Sequence, residues 1–263
     1  MNDTQGMDCP TITPSNAKYL DCLKKYHTLS VLKQYPGTRA QSPALVYGEA
    51  VHDVLRGVYK PNPTRPAPHM RQLQQLIQAA FLRQPYRQDA DREWDMRRCE
   101  RLVRRYVEQD EDATYTLAVE QQAARMICVD DLRYRLSARL DRLIVRPHQP
   151  EIMVVRDYKV GSSRSLEEYQ CLINLAVAKI LMPGYQAYTL EIDVLCDEEG
   201  VQRTVYHSRQ YKGMIQLLHD RVRRYTDAMA YPAEPGSACV YCPLLATCQP
   251  ETEIDGNTLD FTG

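Results

Sequence analysis

Asp141, Asp157 and Lys159 are the residues whose types and spacing most directly suggest chemistry. They lie in SARLDRLIVRPHQPEIMVVRDYKVG, residues 137–161, where two apolar runs flank the turn RPHQPE. Both runs have the β-branched, alternating character of strands. Residues two apart on a strand share a face, so Asp157 and Lys159 point the same way. A turn centred near His148 and Gln149 puts Asp141 opposite or diagonal to Asp157 in an antiparallel pair. Facing carboxylates repel unless a cation lies between them. A hard divalent ion with oxygen ligands, Mg²⁺ or Mn²⁺, suits that geometry. Lys159 beside it can orient or deprotonate an attacking water. The alternative is a surface hairpin of solvated charges. Against it, Asp157 closes the buried-looking run IMVV, and a buried carboxylate needs partners.

A second group lies in ACVYCPLLATC, residues 238–248, where Cys239, Cys242 and Cys248 are spaced C-x2-C-x5-C. The polar N-terminus MNDTQGMDCPTITPSN has no signal-peptide pattern. The longest apolar stretch, CLINLAVAKILM, is too short to span a bilayer and carries Lys179. These features lead to the expectation of a cytoplasmic protein without a membrane partner. In a reducing compartment, nine cysteines are better explained by metal ligation than by disulfides. Thiolates select iron–sulfur or zinc; three incidental thiols are the remaining alternative. Cys99, Cys128, Cys171 and Cys196 fall within expected helices and strands and are read as small core residues.

The elements that must position these groups follow from periodicity and punctuation. Helices are expected over 15–34, with Ser15 or Asn16 near the N-cap, and over 44–59, 69–84, 91–109, 165–182 and 209–230. A Pro/Gly/Ser loop covers 36–43, and the prolines of KPNPTRPAP make a linker. TYTLAVEQ, RMICVD, RYRLSARLDRLIV and IMVVRDYKV read as strands, and 186–196 with 202–207 as a hairpin around DEEG. This order implies an α+β (mixed α/β) layer built round one sheet.

A net charge of −1 excludes a uniformly basic surface, so nucleic-acid contacts must be local. RQPYRQDADREWDMRRCERLVRRY, residues 83–106, interleaves arginines with acids. It reads either as a solvated helix laced with i,i+4 pairs, or as a phosphate-tracking face with Trp94 or Tyr106 available for base stacking. DRVRRY, residues 220–225, is less informative.

His52, in GEAVH, and Gln170, early in the fifth expected helix, would each pass alone as ordinary helix residues. Together with ARLDRLIV and VVRDYKVG, however, they give a sequence that resembles the RecB-like branch of the PD-(D/E)XK nucleases. The pattern there is approximately G-x-x-x-H, G-x-x-D-R, D-Y-K-T-G and Q-x-x-x-Y, and the resemblance spans about Ser15 to Cys248. It implies a restriction-endonuclease-like core, a central mixed sheet flanked by helices. His52, Asp141, Asp157 and the backbone carbonyl of Tyr158 would bind the divalent metal. Lys159 would act on the nucleophilic water, and Gln170 would support the site. Ala138 replaces the usual Gly. Asn174 stands where the pattern has a Tyr tied to substrate DNA. Some RecB-like nucleases, including the AddB nuclease domain and CRISPR-associated exonucleases, carry a 4Fe–4S cluster held by one N-terminal and three C-terminal cysteines. By that likeness Cys22 joins Cys239, Cys242 and Cys248, with Cys9 as competitor.

The expectation is therefore one nuclease domain over 1–250. It comprises a helical part at about 15–110, a nuclease core at about 112–230 and a cluster segment at 237–250 joined by Cys22; a polar tail, 251–263, follows. The resemblance implies a metal-dependent exonuclease acting on single-stranded DNA ends in recombination, repair or a CRISPR-type process, with a helicase or recombination partner conceivable. The alternatives are a DNA-binding subunit with a decayed site and a zinc-stabilised interaction module.

Overall fold

The computed structural model describes residues 9–36, 42–62, 68–86, 88–161, 168–196, 200–236, 239–240 and 242–248. The centre of the linker, most of the 36–43 loop, DEEG apart from its glycine, and the polar tail lie outside the described residues. The long strand β3 (Leu132–Ile144) organises a mixed sheet. Along one edge it pairs antiparallel with β2 (Thr116–Val129). Along the other it pairs with the short parallel strand β1 (Thr11–Ile12) and then with antiparallel β4 (Ile152–Val160). Parallel β5 (Ala187–Cys196) and antiparallel β6 (Gly200–His207) complete the sheet.

The two strands expected at 114–130 are one 14-residue strand that returns into β3 through Asp130 and Asp131. Asp130 has φ 52°, the left-handed conformation that Asp tolerates in tight turns. β2 has no second partner strand among the described residues. Cys128 near its end is consequently exposed, which corrects its reading as a core residue. Cys99 and Cys171 are buried, and Cys196 is half-buried.

Helices cover both faces. On one, α2 (Pro43–Tyr59), α3 (Leu73–Leu82) and α4 (Asp89–Gln109) share an apolar core with Tyr158 and Leu195. α2 starts at Ser42, whose hydroxyl accepts from the Leu45 N–H at 3.3 Å, with Pro43 in the first turn. Gly57 lets α3 approach: a Cβ there would lie 2.5 Å from a Leu76 methyl. On the other face, α5 (Glu168–Leu181) and α6 (Lys212–Thr226) pack with the N-terminal segment against β3, β4 and β5.

The single helix expected over 15–34 is instead broken at Cys22. A 3₁₀ turn (Ala17–Asp21) precedes it, and α1 (Leu23–Tyr26) and a π turn (His27–Val31) follow. Cys22 has extended backbone, φ −136° and ψ 116°. Asn16 does not cap a helix with its side chain. Its amide accepts from the Thr13 N–H and donates to the Thr11 carbonyl, tying the turn to β1.

Between the α2–α4 layer and the sheet lies a buried charge network. Arg142 and Arg156 face each other in the β3–β4 register, and neither is exposed. Both guanidinium groups donate to Asp110, at 2.6 and 2.7 Å. Arg156 also donates to Asp112 and Glu191, and Arg142 to the Asp112 carbonyl. Asp110 and Asp112 follow α4 directly, so the network ties that helix to three strands. Removing one member strands buried charge, which costs about 3–5 kcal/mol. Arg156→Ala should lower stability by that amount in urea unfolding; a change below about 1 kcal/mol would mean that the network is not under this constraint.

Candidate active site

The register places three carboxylates in a row. Val119 pairs with Arg142 and Gln121 with Leu140, so Glu120 sits opposite Asp141. Arg142 pairs with Arg156 as the last pair of the β3–β4 ladder, and Asp141 and Asp157 are the next residues on the two strands beyond it. Like charges directly opposite one another destabilise a sheet. The protein places donors beside Asp141 and Asp157. Asp141 accepts from the Tyr158 N–H at 2.9 Å, and His52 Nδ1, from α2, lies 3.3 Å from Asp141 Oδ2. Lys159 Nζ lies 2.6 Å from Asp157 Oδ2. Asp157 Oδ1 accepts from Gln170 at 3.3 Å and Asn174 at 3.4 Å. Gln170 and Asn174 are one turn apart on α5 and therefore share a face. Asn174 thus contributes a hydrogen bond to the carboxylate at the position where the resemblance expected Tyr.

The expected constellation of His52, Asp141, Asp157, Lys159 and Gln170 is assembled in one place. The Tyr158 side chain points to the opposite face of β4. There it is buried against Tyr106 (5.5 Å between ring centroids), with Arg142 3.5 Å from its hydroxyl.

Glu120 was missed by sequence reasoning. Its backbone is left-handed, φ 51°, a strained conformation for a strand residue. Only the pairing of the whole of β2 with β3 brings it to Asp141, and splitting β2 into two strands hid that register. His52, Glu120 and Asp141 offer ligand atoms that all lie within 4.8 Å of one another. Glu120 is additionally ion-paired to Arg139 at 2.9 Å.

Electrostatics here follow from burial and crowding. Burial drives the Asp157 carboxyl above its usual range, with Asp141 adding to it and Lys159 opposing. Burial acts on Asp141 too, but His52 and the Tyr158 N–H outweigh it and hold this carboxyl below the usual range. Burial opposes charge on His52, yet Asp141 raises its pKa overall. Asp157 Oδ2 is buried without a well-directed hydrogen bond, despite the close Lys159 ammonium. The His52, Glu120 and Asp141 atoms are the group whose mutual distances suit a divalent cation, and Asp157 lies next to it with its own Lys159 partner.

The cysteines form a separate site. Cys22, Cys239, Cys242 and Cys248 line one cavity of about 370 Å³, rimmed by Lys18, Lys24 and Lys25. The chain ends meet there through protein contacts as well. The Leu23 N–H donates to Glu234 at 2.8 Å, the Lys24 N–H to the Pro232 carbonyl, and Arg224 pairs with Glu234. Cys9 lies elsewhere, beside Met126.

Two expectations about nucleic-acid contacts are altered. Tyr106 is buried and donates to Asp193 at 2.7 Å, so it does not offer a face for stacking; its apolar ring completes the core beneath α4. In DRVRRY, Arg221, Arg223 and Arg224 pair with Asp21, Asp131 and Glu234, which brace α6.

Residues 12–249 match the model of the PD-(D/E)XK nuclease superfamily. The chain belongs to this superfamily, whose members are divalent-metal nucleases acting on DNA. No curated protein sequence matches it. Among solved structures it is similar to a candidate exonuclease from Eubacterium rectale, at 12% identity and TM-score 0.53, with 91% of this chain and 90% of that one covered. It is also similar to a protein called SSO0001, at 12% identity and TM-score 0.47, with 94% and 90% covered. No helix among the described residues is long and apolar enough to cross a membrane.

Lys159 separates the chemical from the structural reading of this site. A water-positioning group contributes roughly 10²–10⁴-fold in rate, whereas a largely buried ion pair with a structural role alone shows its loss in stability rather than in rate. Lys159→Ala should slow single-turnover DNA cleavage by at least about a hundredfold and leave DNA affinity measured in Ca²⁺ unchanged. Lys159→Arg should not rescue, because a planar guanidinium stays protonated and cannot replace a compact amine. Cleavage at the wild-type rate would remove Lys159 from the chemistry.

Proposed function

We propose that the protein is a RecB-like exonuclease that hydrolyses single-stranded DNA from an end, with a structural 4Fe–4S cluster closing the fold. The observation that carries the nuclease reading is the Glu120–Asp141–Asp157 row, with Lys159 Nζ 2.6 Å from the last carboxylate. In this reading His52, Asp141 and Asp157, with Glu120 and the Tyr158 carbonyl, hold Mg²⁺ or Mn²⁺. Such an ion polarises a phosphoryl oxygen and lowers the pKa of bound water. Lys159 orients the attacking water and offsets charge developing on the phosphate. Gln170 and Asn174 fix the Asp157 carboxylate, and the Tyr158 N–H fixes Asp141.

The cluster reading is supported by the convergence of Cys22 with Cys239, Cys242 and Cys248 on one cavity, whose lining also holds Lys18, Lys24 and Lys25 beside Asp21 and Glu234. Thiolate-bound iron–sulfur groups carry negative charge, which the lysines offset. A group binding only the folded chain stabilises it. The extended backbone of Cys22, which interrupts the first helical segment, turns this residue toward the same cavity. Cytoplasmic location fits reduced thiols, and a recombination or repair role with a helicase partner fits the resemblance.

Asp157→Ala should abolish divalent-dependent degradation of single-stranded ends, since loss of a ligand removes the metal's contribution. Residual wild-type activity would contradict the metal assignment. Anaerobically purified protein should be brown, absorbing broadly near about 400 nm. Cys22→Ala should bleach it and lower its stability, whereas Asp157→Ala should keep the colour. A colourless protein with one stoichiometric zinc would overturn the cluster.

A further inference from the structure

The arginine-rich helix α4 is sorted by the fold into two kinds of arginine. Its buried side carries Cys99, Leu102, Val103 and Tyr106. On one flank, Arg97 and Arg104 pair with Glu93 and Glu100 four residues earlier, at 3.8 and 2.7 Å. These are ordinary solvated helix pairs. Trp94, Arg98, Arg101 and Arg105 recur at i, i+4, i+7 and i+11, and so form one stripe along the helix. Arg101 and Arg105 have no carboxylate partner among the described residues. Arg98 lies over two aromatic rings, 4.3 Å from the centroid of Tyr47 and 5.6 Å from that of Trp94. Trp94 is nonetheless 56% exposed, a large apolar surface left in water.

We infer that this stripe is a docking track for single-stranded DNA, with Trp94 as a base-stacking platform and Arg101 and Arg105 as phosphate contacts. The inference rests on the nuclease reading above for its substrate. From Trp94 to Arg105 the stripe runs about 16 Å along the helix, enough for several backbone phosphates. Arg101 and Arg105, without a carboxylate partner among the described residues, lie here in line with an exposed ring, and non-specific single-strand sites use that combination. Duplex DNA buries its base faces in the stack, so Trp94 has nothing to stack on there except at an end. Arg98, held between the rings of α2 and α4, orients the indole. The stripe lies on the helix whose last turn leads into Asp110 and Asp112, which bind Arg142 and Arg156 on the face of the sheet opposite Asp141 and Asp157.

Trp94 is the chain's single tryptophan, so intrinsic fluorescence reports on the platform alone. The test uses the whole protein in Ca²⁺ with an oligo-dT single strand and, separately, an internally closed duplex of equal charge. The single strand should quench Trp94 and the duplex should not. Trp94→Ala should weaken single-strand affinity about five- to hundredfold, and Trp94→Phe should restore most of it. Arg101→Gln with Arg105→Gln should reduce the slope of log affinity against log salt by about 1.4, without altering the unfolding midpoint. An unquenched Trp94, equal quenching by the duplex, or an unchanged salt slope would each overturn the track. DNA cleavage without quenching would overturn the track alone. Quenching without divalent-dependent cleavage would uphold single-strand binding and overturn the nuclease reading.

Discussion

Two buried arginines facing each other across β3 and β4 are the constraint on which the rest of the structure depends. Arg142 and Arg156 cannot be left unpaired without a large penalty, so Asp110, Asp112, Glu191 and Asp193 must come to them. Arg146 and Arg203 join at the edges, which balances four cations against four carboxylates. That balance fixes the end of α4 against the sheet and the register of three strands. Since Asp141 and Asp157 are the sequence neighbours of these arginines, the same register decides which charges meet on the catalytic face. A one-residue slip would send a guanidinium where a carboxylate belongs. The paired charges behind the sheet therefore hold in place the mutually repelling ones in front.

The candidate catalytic face and the network behind it each keep a buried atom without an aligned hydrogen bond, Asp157 Oδ2 and Arg156 Nε. Arg142 makes short hydrogen bonds to Thr116, Asp110 and Asp112. Asp157 Oδ2 has a close ammonium but no aligned hydrogen bond, and Glu120 is held in a strained backbone conformation next to Asp141. Gly161, with φ 97°, ends β4 immediately after this site in a conformation that glycine adopts without a Cβ penalty.

Much of this was legible in the sequence because it depended on local patterns. The strand pair around RPHQPE, the shared face of Asp157 and Lys159 and the body of the α2 helix all follow from short-range periodicity and turn residues. The fate of the isolated arginines within SARLDRLIV and MVVRDY was not legible, because their partners lie up to 46 residues away on other elements. Glu120 escaped notice because its position depends on the pairing of a long strand containing a positive-φ residue. The break at Cys22 was hidden by a helical period that local propensity supports and that tertiary contacts to Pro232 and Glu234 override. Tyr106 illustrates the converse: an aromatic within a charged helix can belong wholly to the core.

The central claim is that the carboxylate row is a divalent-cation site held by the arginine network behind it. Thermal unfolding with and without Mn²⁺ tests it most directly, because an ion that binds only the folded chain raises its midpoint by mass action. The wild-type midpoint should rise with Mn²⁺ concentration. Asp141→Asn, which alters the carboxylate at the middle of the row, should lose that rise while still unfolding cooperatively without metal. An equal Mn²⁺-dependent rise in both proteins would contradict the account.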